Sequence, residues 1–288
     1  MTPWKPIPPD VLACIVTGWA KGGTSLTAWL LADTIRASRP FEGAVLLAES
    51  PARGYPEPYR THADAEVGLP ADFDLRYRAC ADHAAAYRYL RTLDPDPGLR
   101  GRPFLDKTPA YLPSLPVVVE RAPGTPILII QRDPELVVRS WMRGGYSLPD
   151  AIEGFLTFLA GLVALARGPL PSGTIEIVRL DDIVADPVRT IRGLLPRLGL
   201  DPGPPDPGSP IGGLGRDWPS RILRSQERAP LPGGRAVEEE IAIALARAFP
   251  QHEEVRALAG GPFAGVAERI AGWDVGTRDR TAPRFFTR

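Results

Sequence analysis

The sequence predicts an α/β fold in three layers, with a central mostly parallel sheet flanked by helices. Three observations carry this. Short apolar runs of strand length recur along the chain. Longer stretches with apolar residues at helical spacing lie between them, and that alternation makes the strands parallel and covers both faces of the sheet. The 34 prolines and 29 glycines cluster between these segments, as in residues 201–213.

The elements follow in order. Residues 11–17 are apolar and end at Gly18, as a buried parallel strand does. After a glycine-rich turn, 24–37 carries Leu26, Trp29 and Leu30 at helical spacing. Residues 44–48 are predicted as a second buried strand. Residues 51–75, dense in proline, glycine and charge, are predicted to be irregular. A helix is expected over 79–93, with Tyr87, Leu90 and Leu93 near one face. A third strand at 127–131 leads into a helix over 134–142. A helix at 150–167, a strand at 175–180 and a helix at 187–198 complete the alternation. Residues 201–219 are predicted as a loop, 237–249 as a late helix, and 274–288 as a tail without a period, expected to be flexible.

Composition sets the outer limits. The 288 residues are 44% hydrophobic and 24% charged, enough for a sizeable core, and are read as one domain over 1–288. Lys and Arg total 34, as do Asp and Glu, so no basic field marks a nucleic-acid partner, and any anion site must be built locally. Cys14 and Cys80 offer no disulfide framework and no metal-ligand spacing, so no metal is expected and the thiols read as reduced. Residues 1–9 lack a signal-peptide core, and the apolar run 152–166 is short for a membrane span. These features point to a cytoplasmic protein with no membrane partner. Richness in Arg, Ala, Pro and Gly hints at a GC-rich bacterial genome.

The first motif is Gly18-Trp19-Ala20-Lys21-Gly22-Gly23-Thr24-Ser25. A glycine-rich turn between strand and helix gathers backbone N–H groups around one concavity, and the helix start adds its positive dipole end. An NTPase loop reads G-x-x-x-x-G-K-[ST]. Here Gly18, Gly23 and Ser25 are in register, but Thr24 stands at the lysine position and the lysine sits inside the loop as Lys21. The phosphate cradle is kept while the group that reaches the β- and γ-phosphates is lost.

This loop resembles the 5′-phosphosulfate loop of sulfotransferases that use 3′-phosphoadenosine 5′-phosphosulfate (PAPS), through Lys21, Gly23, Thr24 and Ser25. A second match is Arg132 at a strand end with Ser140 eight residues later, in Arg132-Asp133-Pro134-Glu135-Leu136-Val137-Val138-Arg139-Ser140. In that family the pair contacts the nucleotide 3′-phosphate, and a guanidinium forks well onto phosphate oxygens. A third is Asp106-Lys107-Thr108-Pro109-Ala110-Tyr111, similar to the E-K-T-x-x-Y segment of heparan-sulfate-type members with Asp106 in place of Glu. Tyr87-Arg88-Tyr89 and 177–187 resemble further family segments, so the likeness runs from residue 11 to 200. Beyond it, Gly213-Leu214-Gly215-Arg216 could cover the nucleotide, with Arg216 on the 3′-phosphate.

The resemblance implies a P-loop-like fold, PAPS as cosubstrate with PAP as product, and a small-molecule acceptor. It implies cofactor contacts from Lys21, Gly22, Gly23, Thr24, Ser25, Arg132, Ser140 and Arg216. Sulfuryl transfer needs a base for the acceptor proton and cations for the leaving phosphate. Glu49, expected at the end of the second strand, is the preferred base and Asp106 the alternative. His62 and His83 are weaker candidates, and His252, outside the matched region in an acidic stretch, is expected to be exposed. Lys21 is expected at the leaving oxygen and Lys107 near the sulfuryl group or an anionic acceptor. Tyr55, Tyr59, Phe73 and Tyr77 either line the acceptor pocket or pack the core. Two other readings remain open at this point: a P-loop kinase or NTPase, and a non-catalytic PAP-binding protein.

Overall fold

The computed structural model describes residues 4–169, 173–203, 234–258 and 261–275. The first strand, β1 (Leu12–Gly18), is buried throughout and ends where Gly18 takes φ 150. A Cβ there would stand 2.4 Å from the Ile130 carbonyl oxygen, so glycine permits the close approach of the neighbouring strand. Helix α1 (Thr24–Ile35) begins after Gly23 in the left-handed region, at φ 94. Helices α2 (Tyr59–Val67), α3 (Phe73–Arg78) and α4 (His83–Leu90) precede β2 (Phe104–Lys107). Helix α5 (Leu115–Arg121) leads to β3 (Ile127–Gln131), followed by α6 (Pro134–Arg143) and α7 (Leu148–Arg167). Then come β4 (Ile175–Arg179), α8 (Leu180–Ala185), α9 (Pro187–Leu198), α10 (Gly234–Ala248), α11 (His252–Ala257), the short β5 (Gly261–Pro262) and α12 (Phe263–Ala271).

The sheet order is β2-β1-β3-β4-β5, parallel except for β5. The chain leaves β1 for β2 on one side and returns to β3 on the other, so the order reverses at β1. In open α/β sheets the crevice beyond the carboxyl ends at such a switch point is the ligand site. Alternate strand residues feed two separate cores. Ile15, Ile127, Ile129 and Ile177 join one with α5, α7 and α12. Cys14, Val16, Leu128, Ile130 and Val178 join the other with α1 and α9. Strands buried on both faces read as apolar runs, which is how β1 and β3 are legible, while β4 carries Glu176 inside its run. The three-layer, P-loop-like fold is as expected.

Two expectations fail. Residues 44–48 are not a strand: Val45–Leu47 is a 3-10 turn, and Ala44 adopts φ 50. The run is apolar because it is buried between α4 and α5, and a short buried run does not distinguish strand from turn. The strand beside β1 is instead Phe104–Lys107, hidden in sequence by its brevity and its Asp-Lys pair. Residues 51–75 are not irregular either, since α2 and the first half of α3 lie there.

Among the described residues one helix, α7, is long and apolar enough to cross a membrane, and 67% of its most apolar window is buried inside the fold, as in a core helix.

Candidate active site

The loop after β1 is held residue by residue. The Trp19 indole donates to the Phe155 carbonyl of α7 at 3.2 Å, and the rings of Trp19 and Phe155 stack. The Trp141 indole of α6 donates to the Ala20 carbonyl at 2.7 Å. Arg132, at the end of β3, donates from Nη1 to the Lys21 carbonyl at 2.7 Å. Opposite Gly23, a Cβ would meet Leu180 Cδ1 at 2.5 Å. Three consecutive loop carbonyl or indole groups are thus tied to three different elements. Lys21, at φ 64, and Ser25 are exposed, while Thr24 is buried. The first N–H groups of α1 have no intrahelical acceptor and face the same concavity, which suits an anion.

Arg132 is largely buried, and its pKa is pushed down first by that burial and then by the charge of Arg143. Arg143 lies one turn beyond Ser140 on α6, and its charge reaches Arg132 at the strand end. The carboxylates of Asp181 and Asp133 offset part of that shift, and an anion bound at this edge would offset more. These residues fit a phosphorylated nucleotide.

At the end of β2 the carboxylate of Asp106 is fully buried. It accepts from Tyr87 Oη at 2.6 Å, Tyr111 Oη at 2.6 Å, Thr108 Oγ1 at 2.6 Å and the Gly43 N–H at 3.1 Å. Burial raises its pKa, and these hydrogen bonds oppose the rise. Next to it, Lys107 donates from Nζ to Glu42 Oε1 at 2.9 Å, with side-chain exposures of 10% and 21%. Glu42 is a carboxylate that the sequence reading passed over. Its only local signal is its place between Phe41 and Gly43, ahead of the turn.

Glu49 stands elsewhere. Its side chain is 69% exposed and lies 3.7 Å from Arg53, and its field acts on Arg121. Arg121, the last residue of α5, donates to the Leu46 and Leu47 carbonyls. With the strand over 44–48 gone, the geometric reason for choosing Glu49 goes too. Asp106 has its oxygens enclosed by four donors, an arrangement that holds structure and leaves no edge for an acceptor. His62 is exposed on α2, and His83 is buried against Trp4. His252 is buried beside Glu253 rather than exposed. Tyr55, Tyr59, Phe73 and Tyr77 are all buried in one core cluster, which makes them packing residues. Arg216 and most of the 201–219 loop and the 274–288 tail lie outside the described residues. No group of three or more metal-ligating side chains occurs among the described residues.

A family model described as the sulfotransferase family matches residues 14–204, about two thirds of the chain and the whole of the site above. The chain belongs to the sulfotransferase family. The match ends at residue 204, where the segment outside the described residues, 204–233, begins. Among solved structures, this sulfotransferase is similar to the sulfotransferase domain of the Synechococcus PCC 7002 olefin synthase. Identity is 16% and the TM-score 0.54, over 85% of this chain and 96% of that one. At that identity the likeness is one of fold. A sulfotransferase from Mycobacterium tuberculosis is 15% identical with a TM-score of 0.42, over 85% of this chain and 76% of that one. No curated protein matches the sequence.

Proposed function

We propose that the protein transfers a sulfuryl group from PAPS to a hydroxyl or amine of a small acceptor such as a natural product or a sugar, in the cytoplasm. The observation that carries this reading is the fixed loop 18–23, with Arg132 bonded to its Lys21 carbonyl and Ser140 and Arg143 on the adjoining helix face. When bound, PAPS supplies an electrophilic sulfur whose bond to the 5′-phosphate oxygen breaks, electron pair to PAP, as the acceptor atom bonds to it. Gly22, Gly23, Thr24 and Ser25 hold the 5′-phosphate through backbone N–H groups and hydroxyls. Arg132 and Ser140 hold the 3′-phosphate, and Arg216 adds to that site. Lys21, exposed at the loop tip, neutralises the leaving oxygen. Lys107 is the second cation.

The acceptor proton goes to a carboxylate. Glu42 is better placed than Glu49 for this, because its 2.9 Å contact with Lys107 holds it at the carboxyl end of β2.

Thermal unfolding with PAP, AMP and Mg–ATP tests the reading. A ligand at about a hundred times its Kd adds about 2.7 kcal/mol, a shift of a few degrees for a chain of this size. Stabilisation by PAP well beyond AMP is expected. Stabilisation by Mg–ATP alone makes the protein a kinase-like nucleotide binder instead. PAP binding with no transfer to any acceptor in a broad hydroxyl and amine panel makes it a non-catalytic PAP-binding protein.

A further inference from the structure

Asp106 is the most heavily bonded side chain at the site, and its donors are not arbitrary. Gly43 N–H reaches Oδ1 at 3.1 Å. Thr108 Oγ1 donates to Oδ1 at 2.6 Å and accepts from the Ala44 N–H at 3.1 Å. Tyr111 Oη donates to Oδ2 at 2.6 Å and accepts from the Leu46 N–H at 3.1 Å. Directly or through one hydroxyl, the carboxylate therefore holds three backbone N–H groups of the 43–46 turn. That turn includes Ala44 at φ 50, a conformation an alanine does not keep without such restraint.

Glu42 is the residue just ahead of the turn, and its backbone is fixed on each side. The Lys107 N–H bonds the Phe41 carbonyl at 3.1 Å, Phe41 bridges Asp106 as a parallel partner, and Tyr55 Oη donates to the Glu42 carbonyl at 3.0 Å. Lys107, whose ammonium meets Glu42, is the next residue after Asp106. A buried network with every member bonded fixes one arrangement of its parts.

We infer that Asp106 is a positioning residue: through Thr108, Tyr111 and the 43–46 turn it sets the Glu42–Lys107 pair at the carboxyl end of β2. Its relevance to sulfuryl transfer rests on the function proposed above, while the coupling itself does not. Tyr87 is the internal control. It donates to the same Oδ2 at 2.6 Å but has no bond to the turn, apart from a 3.4 Å contact with Tyr111 Oη.

The chain has three lysines, Lys5, Lys21 and Lys107, so uniform labelling with 13C-lysine yields a spectrum simple enough to assign by substitution. The experiment compares the Lys107 ε-methylene resonance in the parent protein and in Glu42→Gln, Asp106→Asn, Tyr111→Phe and Tyr87→Phe. Glu42→Gln defines the position of the unpaired ammonium. Asp106→Asn and Tyr111→Phe are expected to move the resonance most of the way to that position and to speed amide exchange at Gly43, Ala44 and Leu46. Tyr87→Phe, at a comparable loss of thermal stability, is expected to leave it in place. If Asp106→Asn does not fold, Thr108→Val and Tyr111→Phe carry the test. A Lys107 resonance unmoved by Tyr111→Phe, or moved equally by Tyr87→Phe, overturns the inference. The PAP against AMP melting difference, measured on the same samples, reports separately on the nucleotide reading. If that difference is missing from the parent, the function proposed above fails while the coupling stands.

Discussion

Three side chains carry the chemical predictions at the scale of single residues. Glu42→Gln keeps the shape of the pair with Lys107 but removes the proton acceptor. Loss of a positioned base typically costs about a hundredfold to ten-thousandfold, so turnover should fall by that order while PAP still raises the melting temperature. Parent-like turnover, measured with any true acceptor, returns the role to Glu49. Arg132→Ala should weaken PAP binding much more than adenosine 5′-phosphosulfate binding, since only the former carries the 3′-phosphate. Equal losses by calorimetry would contradict that assignment. His83 governs a pH effect. Burial lowers its pKa from 6.5, with the bond between its ring and the Ala48 carbonyl opposing the shift. The folded value therefore lies below the unfolded one. Its contribution to stability is full above the unfolded value and is lost as pH falls through the folded value. Urea midpoints for the parent should drop from pH 8 to pH 5 more than those of His83→Asn, and parallel curves would show that His83 does not drive the slope.

Helix packing decides how tightly the loop is held at the scale of elements. Two glycines of α7 sit where neighbours leave no room. A Cβ on Gly161 would lie 1.9 Å from the Leu112 carbonyl oxygen, and one on Gly154 would lie 1.5 Å from Trp141 Cζ3. Neither glycine serves a turn; each lets another element approach. Overpacking costs about 1–3 kcal/mol, so both alanine variants should melt lower. They should differ in binding. Gly154→Ala pushes on the ring that bonds the Ala20 carbonyl and should also reduce stabilisation by PAP, whereas Gly161→Ala presses on the chain before α5 and should not. Equal PAP shifts in the two variants would show that Trp141 does not transmit strain to the loop. Helix ends, by contrast, were written locally. Asp133 caps α6 ahead of Pro134, Asp186 caps α9 ahead of Pro187, and Gly199 ends α9 at φ 66, so the predicted starts at 134 and 187 and the end at 198 match those observed.

For the whole molecule, a sheet buried on both faces separates two cores, and Cys14 lies on the side packed by α1 and α9. Burial pushes its thiol up to about 12, which leaves almost no thiolate at neutral pH. A disulfide reagent should therefore titrate Cys80 in the native protein and Cys14 only as fast as the protein opens globally; prompt reaction of both thiols would show that this core opens locally. The sequence by itself determined what short stretches of chain can encode. These were the strand–helix alternation, the glycine loop, the capped helix starts and the spacing of Arg132 from Ser140. Each depends on residues within one or two turns of one another. It did not determine that 44–48 would be a turn, that 104–107 would be the neighbour of β1, or that Glu42 would meet Lys107. That last pair is separated by 65 positions, and the bonds of Asp106 reach 63 residues back to Gly43 and 19 to Tyr87. Only the tertiary structure decided these, because a buried carboxylate takes whatever donors the packed sheet edge delivers, and no periodicity in the chain records which they are.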